Sequence, residues 1–289
     1  MGGRIRVSAV PVDVTVGDVE RNLGAIRDAL GQGARSGPHL MVLPELATSG
    51  YVFADRSEAW SCALRAEDEL LKSLASELPS ETVVVLGFCE RDGDALFNSA
   101  LVLGAEGVLG CYRKSHLWGT EHRIFDTGPH AGMVVDTPIC RLGVAICYDN
   151  EFPELPRRLA LSGAEILALP VNWPLVDRPS GEHAPEIVQA MAAARSSRLP
   201  TVIADRHGSE RGVEWTGGTC VISPDGWVCA TPATANTAAS TELDLTLDKS
   251  IGEFNDLFAD RRPELYGDIA VPRIPVRSTS RSEARTHVQ

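Results

Sequence analysis

Three short strand-like segments of the sequence end on side chains that can take part in covalent chemistry. Glu45 follows "MVLP", Lys114 follows "GCYR" and Cys147 follows "GVAI". A thiol is a nucleophile, a carboxylate can accept its proton, and an ammonium can stabilise the negative oxygen that forms when a carbonyl carbon is attacked. Each residue alone also has an ordinary explanation, since strand-end Glu and Lys are usually solvated and a Cys in an apolar run usually packs in the core.

Only the fold can bring these residues together, because they lie 69 and 33 positions apart. In open α/β sheets, sites form outside the carboxyl ends of the strands. If the three segments are strands, the side chains at their ends can therefore converge on one site.

Strand and helix patterns alternate along most of the chain. The predicted strands are "IRVSAVPVDV", "HLMVLPE", "TVVVLGFCERDG", "CRLGVAICYD", "EILALPVNW" and "TVIADRHGS". The predicted helices are "VGDVERNLGAIRDALGQGARSG", "DELLKSLASELP", "PELPRRLALSGA" and "PEIVQAMAAARSSRLP". Hairpin turns are predicted at Glu106-Gly107 and at Pro224-Asp225-Gly226. This order indicates an α/β protein with mixed sheets and outer helices.

The composition limits the kinds of partner. The 289 residues carry a net charge of −12 at pH 7, whereas nucleic acids and anionic membrane surfaces require clustered basic residues. No apolar run approaches the roughly 18 residues of a membrane-spanning helix, and no signal-peptide pattern opens the sequence, which predicts a cytoplasmic protein. Seven cysteines without a CxxC pair argue against a disulfide framework or a zinc site.

The domain organisation is predicted to be simple. No Pro/Ser/Gly-rich linker divides the chain before about Asp248, so we predict one domain over residues 1–270. Residues 271–289 are polar and aperiodic, which predicts a loose C-terminal tail.

The sequence around the three candidate residues resembles the nitrilase superfamily, the carbon–nitrogen hydrolases. The resemblance extends from about Ile5 to Tyr266, and its matching segments are "LPELATSGY", "YRKSHLWGTEHRIF", "GVAICYDNEFPEL", "LALPVNWP" and "DRRPELYG". It implies an amidase that uses a Glu–Lys–Cys triad and needs neither a metal nor an organic cofactor. In this triad Cys147 is the nucleophile, Glu45 the general base and Lys114 the electrostatic partner.

The resemblance implies further features of the site and the fold. Glu121, seven positions after Lys114, is expected to orient Lys114 or the substrate nitrogen. The backbone N–H of Tyr148 is expected to donate to the oxyanion. The implied fold is a four-layer α-β-β-α sandwich with two mixed sheets, and the implied assembly is a homo-oligomer, at least a dimer.

The residues after Cys147 favour a small linear amide as substrate. Nitrilases usually show Cys-Trp-Glu, whereas this chain has Cys-Tyr-Asp. Carbamoyl-amino-acid hydrolases tend to carry an arginine that binds the substrate carboxylate, and here Asn150 and Glu151 occupy that stretch. We therefore predict a neutral or, as the second option, a cationic amide. Its pocket is expected to be lined by Tyr51, His116, Trp118, Tyr148, Asn172 and Trp173.

Several interpretations of single residues stay open. Core or interface packing explains Trp118 and Trp173 equally well. His116 could act as the base, since Cys–His pairs occur in other hydrolases, but Glu45 is the better candidate, and His116 is expected to share a strand face with Lys114. A departure from the family pattern is Asp205-Arg206, where an Asn-Arg pair is common.

Alternative functions also stay open. The same thioester could be intercepted by an amine or hydroxylamine, which would make the protein an acyltransferase, or the substrate could be an N-carbamoyl amine. A catalytically silent scaffold is the non-enzyme alternative. A nucleotide-binding domain is disfavoured because no GxGxxG or GxxxxGK[ST] motif follows a strand.

Overall fold

The structure, a computed structural model, describes residues 3–245 and 249–271. The chain divides into two units, residues 1–249 and residues 250–289. All α-helices and sheet strands of the described residues belong to the first unit. Within the described residues, no helix combines the length and the apolar character needed to cross a membrane.

The regular elements of the first unit range from 2 residues in a strand to 16 residues in a helix. Its strands are β1 (Arg4–Ala9), β2 (Leu40–Val42), β3 (Val83–Asp92), β4 (Ala95–Gly104), β5 (Gly107–Arg113), β6 (Met133–Asp136), β7 (Arg141–Val144), β8 (Ile166–Pro170), β9 (Thr201–Ala204), β10 (Ser209–Glu210), β11 (Val213–Glu214), β12 (Cys220–Ile222), β13 (Val228–Ala230) and β14 (Ala239–Asp244). Its helices are α1 (Val19–Ala34), α2 (Arg56–Ser61), α3 (Glu69–Ala75), α4 (Glu154–Leu161) and α5 (Pro185–Ser197). Two 3₁₀ helices cover Gly119–Arg123 and Cys147–Glu151.

The strands form two six-stranded mixed sheets and one small hairpin. The first sheet has the order β14-β1-β2-β3-β4-β5, and the second has the order β13-β12-β9-β8-β7-β6. In the first sheet β1, β2 and β3 are parallel, and in the second β7, β8 and β9 are parallel. Antiparallel strands flank these parallel strands on both sides. β10 and β11 form the separate hairpin.

The sheets and helices form the predicted four layers. β2 and β3 of the first sheet contact β8 of the second. Side chains of α1 and α3 form one buried cluster with side chains of β2, β3 and β4, so these helices cover the first sheet. On the second sheet, α4 contacts α5 and α5 contacts β12. The predicted α/β sandwich with two mixed sheets is confirmed.

Helix α1 shows how the sequence determines one of these layers. The Asp18 carboxylate accepts a hydrogen bond from the Arg21 N–H, which satisfies a donor that has no partner inside the helix. Leu23, Ile26 and Leu30 recur at helical spacing and are all buried. Burial of each such side chain stabilises the fold by about 2 kcal/mol.

The predicted helices are confirmed, but the strands are shorter than predicted. β1 ends at Ala9 rather than Val14, and Pro11, which lacks an N–H, cannot donate to a sheet. β7 ends at Val144, so Cys147 lies three residues beyond the strand. Pro156 lies in the first turn of α4, where its missing N–H costs little. The elements β6, β14 and α2 were not predicted.

The second unit is described over residues 250–271. The Asp256 carboxylate accepts hydrogen bonds from the backbone N–H groups of Phe258 and Ala259, and a 3₁₀ turn covers Pro263–Leu265. The segment "DRRPELYG" belongs to this unit. Apart from Val271, the predicted tail lies outside the described residues.

Candidate active site

Glu45 lies in a segment that passes closely over the first sheet. β2 ends at Val42, and the following residues cross β3 at Gly87. A Cβ atom on Gly87 would lie 2.5 Å from Glu45 Cα, so a larger residue does not fit there. The Ala47 N–H donates to the Gly87 carbonyl oxygen at 2.8 Å. The absence of a side chain at Gly87 therefore fixes the backbone that carries Glu45.

Lys114 directly follows β5 and is held through its backbone. Its N–H donates to the Asn98 carbonyl oxygen at 2.8 Å, and its own carbonyl oxygen accepts from the Gly128 N–H at 2.8 Å. A Cβ atom on Gly128 would overlap the backbone of Arg113. Hydrogen bonds to Asn98 and Gly128 thus fix the backbone at Lys114, and the lysine side chain is completely buried.

The ammonium of Lys114 binds two carboxylates. Its Nζ lies 2.7 Å from Glu45 Oε1 and 2.9 Å from Glu121 Oε1. Asn98 Nδ2 donates to the same two oxygens, at 2.7 and 3.3 Å. The other oxygen of Glu121 accepts from the Trp118 N–H at 2.8 Å. The structure therefore brings together three of the residues that the sequence suggested for catalysis.

This buried cluster has an excess of negative charge, since two carboxylates share one ammonium. Burial alone would lower the pKa of Lys114, but Glu121 and Glu45 raise it well above its ordinary value, so the lysine remains charged. Burial raises the pKa of Glu45, Lys114 opposes this shift, and Glu121 adds to it. Glu45 Oε2 is buried and has no hydrogen-bond partner among the described residues, so it is available to accept a proton.

Cys147 begins the 3₁₀ helix that follows β7. Its φ angle is 48°, in the left-handed region that non-glycine residues rarely adopt. The Asp149 carboxylate supports this turn: its Oδ2 accepts from the Ile146 N–H at 3.0 Å and from the Tyr112 hydroxyl at 2.8 Å. The backbone around the thiol is therefore held by a buried carboxylate two residues away.

The Cys147 thiol is buried beside the charged cluster. Burial raises the pKa of Cys147 well above its ordinary value, and the Glu45 carboxylate raises it further. Lys114 and a backbone hydrogen bond from Asn172 act in the opposite direction. The thiol is consequently neutral in the resting site and needs a base to remove its proton as it reacts.

Asn172 connects the two sheets at this point. It follows β8, and its Nδ2 donates to the Glu45 carbonyl oxygen at 3.0 Å. The Glu45 N–H in turn donates to the Val171 carbonyl oxygen at 3.4 Å. Because the Asn172 backbone also forms a hydrogen bond with the thiol, the segment after β8 fixes the position of Glu45 relative to Cys147.

The sequence comparisons agree with this geometry. The profile of the family described as carbon-nitrogen hydrolase matches residues 6–250. The chain belongs to the carbon–nitrogen hydrolase family. The superfamily suggested by the sequence motifs is thereby confirmed.

Named members of the carbon–nitrogen hydrolases match almost the whole chain. A protein named nitrilase from Pyrococcus abyssi is 33% identical over 267 residues, which cover 91% of this chain and 99% of the relative. An (R)-stereoselective amidase from Pseudomonas sp. is 32% identical, with 87% and 89% covered. An N-carbamoylputrescine amidase from Arabidopsis thaliana is 29% identical, with 86% and 90% covered.

Solved structures share the fold. An amidase from Nesterenkonia sp. superimposes with a TM-score of 0.74 at 24% identity, covering 91% of this chain and 95% of that chain. A carbon-nitrogen hydrolase from Helicobacter pylori G27 gives a TM-score of 0.79 at 22% identity, covering 92% and 98%.

Two cavities of this carbon–nitrogen hydrolase are lined by residues of the candidate site. One, of about 190 Å³, is lined by Cys147, Tyr148, Asn172 and Trp173 among others. The second, of about 310 Å³, is lined by residues that include Tyr51 and Glu121. Both are also lined by Trp118 and Pro174. Cavities of about 750 and 520 Å³ elsewhere contain neither the nucleophile nor the charged cluster.

Most of the predicted pocket residues lie at these cavities, but His116 does not line either of them. Its Nδ1 lies 2.8 Å from Asp149 Oδ1, its N–H donates to the same oxygen at 3.1 Å, and its ring stacks on Phe152 with centroids 3.9 Å apart. The structure thus places His116 against the turn that carries Cys147. Its predicted contact with substrate remains untested.

Sequence reasoning missed two polar residues that the site depends on. Asn98 lies within the apolar run of β4, and Asp149 follows the nucleophile by two positions. Both are buried. A polar residue inside an otherwise apolar strand was the available signal for Asn98, while nothing in the sequence separates Asp149 from a surface carboxylate.

In the part of the chain that the structure describes, no group of three or more His, Cys, Asp or Glu side chains is arranged to hold a metal ion. That the reaction needs neither a metal nor an organic cofactor stays a prediction from the sequence.

Proposed function

We propose that this carbon–nitrogen hydrolase cleaves a small linear carboxamide to an acid and ammonia or an amine through a thioester on Cys147. The observation that carries the proposal is the buried cluster of Glu45, Lys114 and Glu121 beside the thiol, in which one oxygen of Glu45 has no partner. A neutral nucleophile thus lies next to a base with a free acceptor and a fixed positive charge.

Attack on the amide begins with proton transfer. Glu45 Oε2 accepts the thiol proton while the sulfur of Cys147 bonds to the carbonyl carbon, and the carbonyl oxygen becomes negative. Lys114 stabilises this oxyanion. The Tyr148 N–H is the second donor, since it lies in the first turn of a 3₁₀ helix, where N–H groups have no partner within the helix.

Breakdown of this tetrahedral intermediate returns the proton. The carbon–nitrogen bond breaks, Glu45 protonates the departing nitrogen, and the acyl group remains on Cys147 as a thioester. A water molecule then attacks the thioester carbon while Glu45 accepts one of its protons. The acid leaves, and the proton passes back to the sulfur, so the enzyme is regenerated.

Glu121 acts through Lys114. Its Oε1 binds Nζ at 2.9 Å, and its Oε2 is fixed by the Trp118 N–H. The second carboxylate therefore keeps the ammonium charged and aimed at the reacting carbon. Tyr51 is also close to this cluster. Burial raises the pKa of its hydroxyl, and Glu121, Glu45 and Cys147 raise it further.

The decisive test uses purified variants on short aliphatic amides. Cys147→Ala and Lys114→Ala should each lower kcat/KM by at least about 10³-fold, because the first removes the nucleophile and the second the oxyanion charge. Cys229→Ala, which removes an exposed cysteine, is the matched control and should retain activity. Mass spectrometry should find the acyl group on Cys147, and turnover by a folded Cys147→Ala protein would refute the mechanism.

N-carbamoyl amines are the second candidate substrates, since three relatives with 29% identity are named N-carbamoylputrescine amidase. Acyl transfer uses the same thioester, and added hydroxylamine separates it from hydrolysis: a transferase converts the acyl group to a hydroxamate at the expense of the acid.

We further propose a homo-oligomer, which light scattering of the purified protein tests.

A further inference from the structure

The cavity at Cys147 contains two carboxylates that the proposed reaction does not use. Glu151 ends the 3₁₀ helix that begins at Cys147, Glu186 lies in the first turn of α5, and both line the cavity. Burial raises the pKa of Glu151, and the nearby Glu186 carboxylate raises it further. Two negative groups therefore lie close together next to the nucleophile.

These carboxylates lack a positive partner within the described residues. No described basic side chain forms an ion pair with Glu151 or Glu186, and Glu186 Oε2 is buried without a hydrogen bond. Burying a carboxylate oxygen without a donor is unfavourable. Glu151 is exposed, so a cation bound between the two residues would give Glu186 Oε2 a partner and face the Glu151 carboxylate.

A separate observation in the same cavity also indicates a bound donor. Asn172 lines the cavity and is only 1% exposed, yet its Oδ1 has no hydrogen-bond partner. Its Nδ2 donates to the Glu45 carbonyl oxygen. This hydrogen bond holds the side-chain amide in place and leaves Oδ1 free to accept from a bound molecule.

The remaining walls suit an organic cation. Trp118, Tyr148 and Trp173 line the cavity, and the rings of Trp118 and Tyr148 meet edge to face with centroids 4.8 Å apart. Aromatic faces attract ammonium and guanidinium groups. The volume of about 190 Å³ equals that of about six water molecules, which limits the occupant to a short chain.

We propose that the substrate carries a terminal ammonium or guanidinium group, which binds between Glu151 and Glu186 while its amide carbonyl lies at Cys147. This inference rests on the proposed amide hydrolysis and specifies its substrate class. An acidic amide is excluded from the same cavity, because its carboxylate would face two others.

The test compares three amides of equal length: pentanamide, 4-aminobutanamide and succinamate. Wild-type protein should have the highest kcat/KM for the aminoamide and the lowest for succinamate. Glu151→Gln and Glu186→Gln should each lower the ratio of kcat/KM for aminoamide over pentanamide by about tenfold, the range of a charged hydrogen bond. Glu154→Gln makes the same change of charge outside the cavity and should keep the wild-type ratio.

The outcomes separate this inference from the proposed function. If wild-type protein hydrolyses pentanamide but shows no preference for the aminoamide, or if both cavity variants keep its ratio, the cation site is refuted and the amidase proposal stands. If wild-type protein hydrolyses none of the three, the amidase proposal fails and the inference fails with it.

Inhibition of the wild-type protein gives a measurement that needs no variant. Butylammonium should inhibit pentanamide hydrolysis at a lower concentration than 1-butanol, and added salt should weaken that inhibition. Equal inhibition by the two compounds would overturn the proposal.

Discussion

The first and second sheets each have three parallel strands at the centre and antiparallel strands at the edges, and the segments that leave their middle strands begin alike. Leu43-Pro44 precedes Glu45 after β2, and Leu169-Pro170 precedes Val171 and Asn172 at the end of β8. The two segments bond to each other through the Glu45 N–H and the Asn172 amide.

The chemical groups that the two sheets supply are different. The first sheet supplies the charges, Glu45 and Lys114, on a rigid frame with Asn98. The second supplies the neutral thiol of Cys147 and the amide of Asn172. In the proposed mechanism the base and the nucleophile therefore come from different sheets, and their relative position depends on the contact between the two segments.

The largest expected loss of activity follows from replacing Glu45, the proposed base, which the first sheet supplies. Glu45→Gln keeps the size and one acceptor for Lys114 but cannot take a proton, so kcat should fall by about 10³-fold. Because the pKa of Glu45 is raised above 4.5, wild-type activity should also fall as the pH drops through an apparent pKa above that value. The exposed Glu77→Gln is the control, and unchanged kcat in folded Glu45→Gln would contradict this role.

The segment after β9 of the second sheet also contains a buried carboxylate, that of Asp205. Its hydrogen bonds all come from backbone N–H groups. Its oxygens accept from the N–H groups of Trp173, Arg206 and Gly218. Burial raises the pKa of Asp205 to about 7, whereas an unfolded chain releases this proton near pH 4. The contribution of Asp205 to the free energy of unfolding therefore falls as the pH rises from about 4 to 7.

Asp205→Asn removes this titration. The stability of wild-type protein relative to Asp205→Asn should decline over that pH range by up to about 4 kcal/mol, at about 1.4 kcal/mol per unit of pKa. Urea unfolding at several pH values measures the difference, with the exposed Asp177→Asn as control. A difference that does not change with pH would show that Asp205 is ionised throughout.

A smaller effect on stability and activity is expected at Gly87, where β3 lies close to the backbone of Glu45. Gly87→Ala places a methyl group against the backbone of Glu45, which should lower the free energy of unfolding by about 1–3 kcal/mol and lower kcat as the base shifts. Gly24→Ala meets no atom within 4 Å in helix α1 and should stabilise the protein by about 0.5–1 kcal/mol. Equal stability of the two variants would contradict the close approach.

The smallest effect is expected at the contact between the sheets. Asn172→Ala removes one hydrogen bond to the Glu45 carbonyl oxygen, so kcat/KM for pentanamide should fall about fivefold, which corresponds to a net hydrogen-bond contribution near 1 kcal/mol. Asn236→Ala, at an exposed position, is the control. If Asn172→Ala and the control have the same kcat/KM, the contact does not position the base.

The proposed triad could be suggested from sequence because each member follows a strand-like segment, and sites in α/β proteins form outside the carboxyl ends of strands. The sequence did not show that Cys147 follows a strand of the second sheet whereas Glu45 and Lys114 follow strands of the first. Asn98 could not be suggested, because an irregularity between Val102 and Leu103 shifts the pairing of β4 with β5 by one residue and so places Asn98 opposite Lys114. His116 was expected to share a strand face with Lys114, but β5 ends at Arg113. The alternation of side chains therefore does not extend to His116, and Asp149 binds it instead.

The pairing of β1 with β14 joins residues about 240 positions apart, from Arg4 to Asp244. During synthesis, β1 therefore remains unpaired on this side until β14, near the end of the first unit, has left the ribosome. An unpaired strand edge is a template for association with other chains. Loss of the segment from Ala239 onward would make β1, which is more buried than β14, the edge strand of the first sheet, and we expect the truncated hydrolase to associate with other chains.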